Sequence, residues 1–317
     1  MKAAVYVQYG APDVLQVKEM EKPMPKDKEV LVRVRATAIN SGDVRLRKAD
    51  PFAVRFIFGL MKPEVNILGA VFSGEVESVG KGVKQFKPGD TVFGHTDMRF
   101  GSYAEYLCVP EEGSIVPKPA SLSHTEAAAI PFGGLAALHF IKNAEVKPGQ
   151  KVLVVGASGA VGSAAVQLAK SQGAHVTGVC SAANMDLVRS IGADHVIDYT
   201  VEDFTRNGET YDVIFDTVRA ISVSRSRWSL NKNGIMILSA AGVSEMLQGL
   251  WISLKSSVRV LTGVIRHTTA DIDYLRNLIE TGKYKPVVDK TYALDQIAEA
   301  HAYVERGHKK GNVAIAV

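Results

Sequence analysis

Two rhythms divide the chain. In the first third, apolar positions alternate or gather in short β-branched runs: residues 2–7 (KAAVYV), 29–39 (EVLVRVRATAI), 70–79 (AVFSGEVESV) and 103–109 (YAEYLCV). Each reads as a strand, set off by glycines and by turn signals such as Lys87-Pro88-Gly89-Asp90. Val30, Val32 and Val34 alternate with Leu31, Arg33 and Arg35, which predicts one buried face and one partly wet face.

The rhythm changes near residue 122. Ser123 followed by Glu126 has the spacing of a capping box that opens a helix (SHTEAAAI), and a second apolar helix is expected after Pro131. Beyond the turn Lys147-Pro148-Gly149-Gln150, strands are predicted at 151–155, 175–179, 194–197, 212–216 and 234–238, spaced by helix-length segments. Gly173 and Gly192 stand where helices should end. This alternation predicts a doubly wound parallel sheet, closed by a last strand at 258–264. A helix (DIDYLRNLIETG), a strand (VVDKTY), a helix (LDQIAEAHAYVERG) and a strand (NVAIAV) follow. The expected organisation is an α/β unit at 123–267 inserted in a β-rich frame formed by 1–122 plus 268–317.

Composition narrows the function classes. The 317 residues suggest two domains at roughly 150 residues each. Hydrophobic residues at 46% and charged ones at 22% exclude a disordered chain, a collagen and a disulfide scaffold. Thirty-seven Lys and Arg against 33 Asp and Glu leave +4, scattered along the chain, so no nucleic-acid partner is expected. Cys108 and Cys180 lie far apart without a CxxC pair, and read as free thiols in a reducing cytoplasm. The uncharged stretch between Lys151 and Lys170 imitates a membrane span, but its glycines fit a strand, a turn and a buried helix better.

That stretch carries the chemistry. In KVLVVGASGAVG a five-residue strand runs into Gly156, Gly159 and Gly162, and a helix follows at once. Glycine at 156 permits a tight turn, at 159 a close approach to a pyrophosphate, and at 162 close packing of helix on sheet. The helix N-terminus adds unpaired N–H groups and a positive dipole end. A dinucleotide site is expected here; a tight structural turn is the alternative.

An acidic residue after the next strand would select NAD through the ribose 2′-OH. The strand ends HVTGVC and continues Ser181-Ala182-Ala183-Asn184, with Asp186 falling later. Ser181 and Asn184 can donate to a 2′-phosphate, or can cap the next helix. NADPH is the expected cofactor, although the loop holds no Lys or Arg.

At this point the residues match a family. The chain resembles the zinc-free quinone oxidoreductase branch of the medium-chain dehydrogenases/reductases, near the NADPH-dependent alkenal and enone reductases. The likeness rests on AINSGDVRLR (38–47), LGAVFSGEVESVGKGVKQFKPGDTVFG (68–94), GSYAEY (101–106), AAAIPFGGLAAL (127–138), the glycine turn, SIGADHVIDY (190–199) and GHKKGNVAI (307–315). It implies a Rossmann domain inserted in a GroES-like β-rich catalytic domain. It implies Asn40, Asp43 and Arg45 at the reacting centre, with Asn40 also on the nicotinamide. It places Ser158, Gly159, Ala160 and Val161 on the pyrophosphate and Tyr199 by the adenine ribose. Lys310 and Asn312 would close over the cofactor; Cys180 and Ser239 complete the cofactor set.

The departures are specific. Where zinc-dependent relatives place Cys and a His-Glu pair, this chain has Ser41-Gly42-Asp43 and Ala70-Val71, so no metal is expected. Zinc-free relatives usually carry Asp at Val71, Thr at Ala136, Gly at Arg219 and Lys at Asn312. The eight histidines show no HxH or HxxxH spacing. The resemblance thus implies NADPH-dependent hydride transfer to a quinone or an α,β-unsaturated carbonyl, with the proton from water or from Tyr103. A nucleotide-binding regulatory protein without turnover and a zinc-free alcohol dehydrogenase are the competing classes. The apolar loop 47–66 reads equally as pocket lining or as core, and an edge strand at 258–264 suggests a homodimer.

Overall fold

The computed structural model describes residues 1–317, the side chain of Val243 excepted. The chain begins with β1 (Lys2–Val5), β2 (Gln16–Glu19), β3 (Glu29–Ile39), α1 (Ser41–Lys48), α2 (Arg55–Phe58), β4 (Val71–Val79), β5 (Thr91–His95), β6 (Tyr106–Pro110), β7 (Ser114–Pro117) and α3 (His124–Ala128). It continues through α4 (Pro131–Asn143), β8 (Lys151–Val155), α5 (Ala160–Ser171), β9 (His175–Cys180), α6 (Met185–Ser190), β10 (His195–Asp198), β11 (Tyr211–Asp216), α7 (Val223–Ser226), β12 (Leu230–Leu238), α8 (Val243–Lys255) and β13 (Arg259–Leu261). It ends with α9 (Thr269–Glu280), β14 (Val288–Ala293), α10 (Ile297–Glu305) and β15 (Asn312–Ala316).

Two compact units result: residues 1–132, 268–280 and 286–317, and residues 133–267 with 281–285. The boundary expected at 122/123 therefore lies about one short helix later. The capping box of Ser123 and Glu126 does open a helix there. But α3 packs its buried Ala127 and Ala128 against β3 and β4, and His124 Nδ1 bonds Ser73 Oγ at 2.8 Å. The helix belongs to the β-rich unit for that reason. Residues 281–285 join the other unit because Gln167 holds both the N–H and the C=O of Lys285, at 2.7 and 3.0 Å.

In the first unit β14, β15, β3, β4, β5 and β7 lie side by side, with β6 also on β3. All pairs are antiparallel except β14 with β15. β3 spans 29–39 as its alternation predicts, with Val30, Val32 and Val34 buried and Arg33 exposed. One core gathers Val30, Val32, Phe72, Val92 and Ile115 inside the sheet. A second packs Tyr6, Leu46, Leu68, Tyr103, Ile297 and Ile315 around α1 and α10.

The second unit is a wholly parallel sheet ordered β10-β9-β8-β11-β12-β13. Its strands are buried on both faces, as Leu153, Val176, Ile214 and Met236 show. Phe215 is fully buried edge-to-face on Phe140, 5.7 Å between ring centres. Cutting such a side chain to Ala costs about 3–5 kcal/mol. The strand order reverses between β8 and β11, and in open α/β sheets ligands bind beyond the strand ends at such a switch. The edge strand β13 is shorter than predicted, covering only 259–261.

Candidate active site

The switch point is built from the carboxyl ends of β8, β9 and β11. Gly156 follows β8 with φ +78°, a region open to glycine at no steric cost. A Cβ there would also lie 2.6 Å from Val218 Cγ1. At Gly162 a Cβ would fall 2.0 Å from the Gly156 carbonyl, so the helix sits on the turn only because residue 162 is glycine. Gly159 differs. Its φ is ordinary at −79°, and a Cβ would meet nothing in the protein nearer than 3.5 Å. The protein itself does not require that glycine; the space beside it is left for something else. Gly159 is also the N-cap of α5 and supplies no side-chain cap, so the first amides of α5, at Ala160 and Val161, keep no capping partner.

The neighbouring loops are fixed to this turn. Asn184 donates from Nδ2 to Ser158 Oγ at 3.0 Å. Neither Ser181 nor Asn184 makes a side-chain cap, so the capping alternative for these two residues does not hold. Ser181 is half-buried, and Tyr199 is 61% exposed at the end of β10 with its N–H on the Cys180 carbonyl. Cys180 itself is buried, and burial pushes its thiol up to about 11, which keeps it neutral. Only its backbone reaches the strand end. Ser239 spends its hydroxyl on the Asp216 carbonyl, 3.1 Å away.

Three residues here escaped the sequence reading. Asp216 is buried and accepts the N–H groups of Val218, Ala220 and Ile221, which shapes the loop after β11. Thr217 donates to the Val155 carbonyl at 2.8 Å and walls the turn. Asp198 ends β10 opposite Cys180, and its Oδ1 is taken by the N–H and hydroxyl of Thr200. The signal for Asp216 and Asp198 is an acid closing a β-branched run.

In the β-rich unit, Asn40 is the N-cap of α1. Its Oδ1 accepts the Asp43 N–H and its own N–H donates to Asp43 Oδ2, both at 3.0 Å. Tyr103 donates its hydroxyl to that same Oδ2 at 2.9 Å. Asp43 and Tyr103 are sealed at 1% and 0% exposure. Burial pushes Asp43 up to about 6, against the pull of the Asn40 N–H and the Tyr103 hydroxyl. Burial and then Asp43 hold the Tyr103 phenol well above its ordinary range. Tyr103 is therefore excluded as a proton donor to a ligand: it is fully buried and already committed.

Arg45 does not accompany Asp43. Two residues along a helix rotate roughly 200°, and Arg45 lies on the exposed face. The residue on the Asp43 face is Arg47, fully buried and paired with Glu305 at 2.6 Å. Loop 47–66 is not core in its middle: Phe52, Phe56, Ile57, Leu60 and Met61 are 53–87% exposed. Asn312 is spent locally, its N–H and Nδ2 both on the Val287 carbonyl. Lys310 is exposed, and its backbone N–H donates to Asp289 Oδ2 at 3.1 Å.

Comparison with known proteins agrees with this architecture. Residues 26–120 match the alcohol dehydrogenase GroES-like domain, and residues 191–315 match a family described as zinc-binding dehydrogenase. The chain is 32% identical to the chloroplast envelope quinone oxidoreductase homolog of Arabidopsis thaliana, covering 99% of this chain and 98% of that one. The chain belongs to the medium-chain dehydrogenase/reductase superfamily. It is also 32% identical to the chloroplastic NADPH-dependent alkenal/one oxidoreductase of Arabidopsis thaliana, over 99% of this chain and 79% of that one. The solved Escherichia coli quinone oxidoreductase complexed with NADPH superposes with a TM-score of 0.84 at 26% identity, over the whole of both chains.

Within this superfamily the fold can serve zinc or do without it. Here the zinc positions read Ser41-Gly42-Asp43 and Ala70-Val71, with no Cys, His or Glu among them; Val71 is fully buried, and the Asp43 carboxylate is spent on the Asn40 N–H and the Tyr103 hydroxyl. Zinc does not fit that donor set. A dinucleotide does fit the switch point, because Gly159 leaves free space at an uncapped helix start.

Proposed function

We propose that this protein is a zinc-independent, NADPH-dependent oxidoreductase that transfers hydride to a quinone or to the C=C bond of an α,β-unsaturated carbonyl. The observation that carries it is the turn at Gly159, where a Cβ would meet no protein atom nearer than 3.5 Å beside a helix start without a side-chain cap. The relatives named for quinones, alkenals and NADPH support the same reading.

The residues divide the work. The amides of Ala160 and Val161 and the hydroxyl of Ser158 hold the pyrophosphate. Ser181 and Tyr199 read the 2′-phosphate. When bound, NADPH supplies the hydride, and the protein orients the ring and excludes water. Addition at carbon leaves charge on the carbonyl oxygen, and Asn40 Nδ2 is the neutral donor proposed to meet it. The balancing proton comes from water. The exposed apolar side chains of residues 52–61 suit a small apolar substrate. A homodimer and a cytoplasmic setting complete the reading; two unpaired cysteines support the setting.

The test is NADPH oxidation with a panel of quinones and enones. Turnover with at least one class is expected. Tight NADPH binding without turnover would instead indicate a regulatory nucleotide-binding protein. Activity confined to alcohols with NADP⁺ would indicate an alcohol dehydrogenase.

A further inference from the structure

We propose that Asp43, Gly42 and Tyr103 act together to lock the Asn40 amide with its oxygen turned inward and its nitrogen turned out, so that the site offers a ligand oxygen a donor and never an acceptor. Asp43 and Tyr103 are positioning residues, and they act through Asn40. This rests on the proposed role of Asn40 as the donor to a carbonyl or quinone oxygen.

Three independent observations converge. Asn40 Oδ1 is fixed by the Asp43 N–H, so a flipped amide would set two donors against each other. Asp43 is in turn fixed through Oδ2 by the Asn40 N–H and the Tyr103 hydroxyl, in a place sealed from water. An ordinary capping box needs only the first two bonds; the buried Tyr103 hydroxyl is a further brace. Among the described residues the hydrogen bonds of Asn40 run through its N–H and Oδ1 and none through Nδ2, in a residue only 6% exposed.

Gly42 supplies the third observation. A Cβ at residue 42 would stand 2.9 Å from Asn40 Oδ1, and beyond its chain neighbours and its own helix backbone it meets nothing nearer than the Asn40 Cγ at 4.0 Å. The only group it would disturb is this amide. Its place in the first turn of α1 gives it no other reason to be glycine, since glycine weakens a helix relative to alanine by roughly 0.5–1 kcal/mol.

The consequence is chemical selectivity. A fixed outward NH₂ favours ligands that present an electron-rich oxygen, as an enone, a quinone or a carboxamide does. It disfavours an alcohol that must donate. The lock thus biases the site toward reduction of carbonyl-bearing substrates.

Gly42→Ala, Tyr103→Phe and Asn40→Ser decide the matter, alone and in pairs. Ser retains the cap but has no amide to orient. Gly42→Ala and Tyr103→Phe should each lower kcat/KM by about tenfold, mainly through kcat, with Gly42→Ala as stable as the wild type or more so. In the Asn40→Ser background neither should add more than about twofold, because residues that act through one another are not additive. Additive losses, or single variants of unchanged activity, would overturn the lock. A second readout needs no turnover: hydrogen exchange at the Asp43 amide should be about tenfold faster in Gly42→Ala, since its acceptor is displaced. Unchanged exchange would also overturn it. A wild type inactive on every quinone and enone would remove the proposed function, while the exchange result would still judge the lock.

Discussion

Asn184 ties the loop after β9 to the glycine turn, its Nδ2 donating to Ser158 Oγ at 3.0 Å. The bond spans the two segments proposed to hold the cofactor. It sets the distance between the proposed pyrophosphate and 2′-phosphate contacts before any ligand arrives. Asn184→Ala should therefore weaken NADPH and NADH alike, by about three- to tenfold, the value of one neutral hydrogen bond plus loop ordering. Fluorescence titration of both cofactors checks this. A loss confined to NADPH would make Asn184 a phosphate reader.

Ser181 and Tyr199 should behave differently. Each neutral hydrogen bond contributes on the order of 1 kcal/mol, and one to a charged group about 1.5–3 kcal/mol. NADPH should thus bind more tightly than NADH by a factor on the order of ten to a hundred. No Lys or Arg sits in the loop, which favours the lower end. Ser181→Asp should reverse the preference by accepting from a free 2′-OH and repelling a phosphate. Tyr199→Phe should weaken NADPH and leave NADH nearly unchanged. Dissociation constants for both cofactors settle the assignment, and equal wild-type affinities would withdraw it.

Much of this was legible along the chain, for physical reasons that also explain the gaps. β3 could be read because period-two alternation over 29–39 has no helical counterpart. The glycine turn could be read because Gly156 and Gly162 each answer a separate steric demand of the fold and Gly159 keeps the spacing between them. Arg45 was misplaced because α1 was not recognised as a helix; once it is, the four-residue step from Asp43 leads to Arg47. The Tyr103 to Asp43 bond joins residues sixty apart in sequence, and no local pattern announces it. The unit boundary moved because α3 chooses its sheet by tertiary packing. The edge strand shortened to 259–261, and the outward Val260 N–H is already taken by Ser253 Oγ at 3.0 Å.

His301 gives an acid-stability prediction. It is fully buried with both ring nitrogens unpartnered, and burial, then Arg47, lowers it from 6.5 to about 3. The unfolded chain takes a proton below about pH 6.5 and the folded chain does not, so stability falls as pH drops from 6.5 toward 3. At about 1.4 kcal/mol per pH unit the loss is on the order of 4 kcal/mol. Asp43 works in the opposite sense. Its folded value near 6 lies above the ordinary 3.8, so the folded state binds the extra proton and gains stability as pH falls from 6 to 4. The two nearly cancel in that window. His301→Leu should expose the Asp43 gain, with a urea midpoint that rises from pH 7 to pH 4.5 while the wild type stays flat. A variant whose midpoint falls in parallel with the wild type would place the acid response elsewhere.

The homodimer is testable at the edge of the parallel sheet. Pairing through β13 alone has little support, since the strand is short and Ser253 covers its central amide. The adjoining α8 exposes Leu250, Trp251 and Leu254 at 60%, 55% and 78%, which is the kind of apolar surface an isologous contact covers. Sedimentation at micromolar concentration should give a dimer, and Leu250→Ser with Leu254→Ser should shift it toward monomer. A monomeric wild type would remove the proposal.

Arg219 occupies a position that favours glycine. Its φ is +59°, in the left-handed region, where a side chain costs roughly 1–2 kcal/mol. Its guanidinium pairs with Glu245 at 2.6 Å, and Glu245 in turn accepts the Gly242 N–H at the start of α8. The ion pair is half exposed, so it returns about 0–1 kcal/mol, less than the backbone costs. Arg219→Ala should lose the pair and keep the strain, and so be destabilised by up to about 1 kcal/mol. Arg219→Gly should lose the pair and the strain together. Glycine's freer unfolded chain takes back about 0.4–1 kcal/mol, which leaves Arg219→Gly near the wild type and above Arg219→Ala. That order, glycine more stable than alanine, is the reverse of what ordinary backbone shows, and it isolates the left-handed term from the ion pair. Urea denaturation of both variants at high salt, where the exposed pair is screened, should preserve the order. If alanine proved the more stable substitution, the positive φ would not be a source of strain, and the departure from glycine at this position would carry no backbone cost.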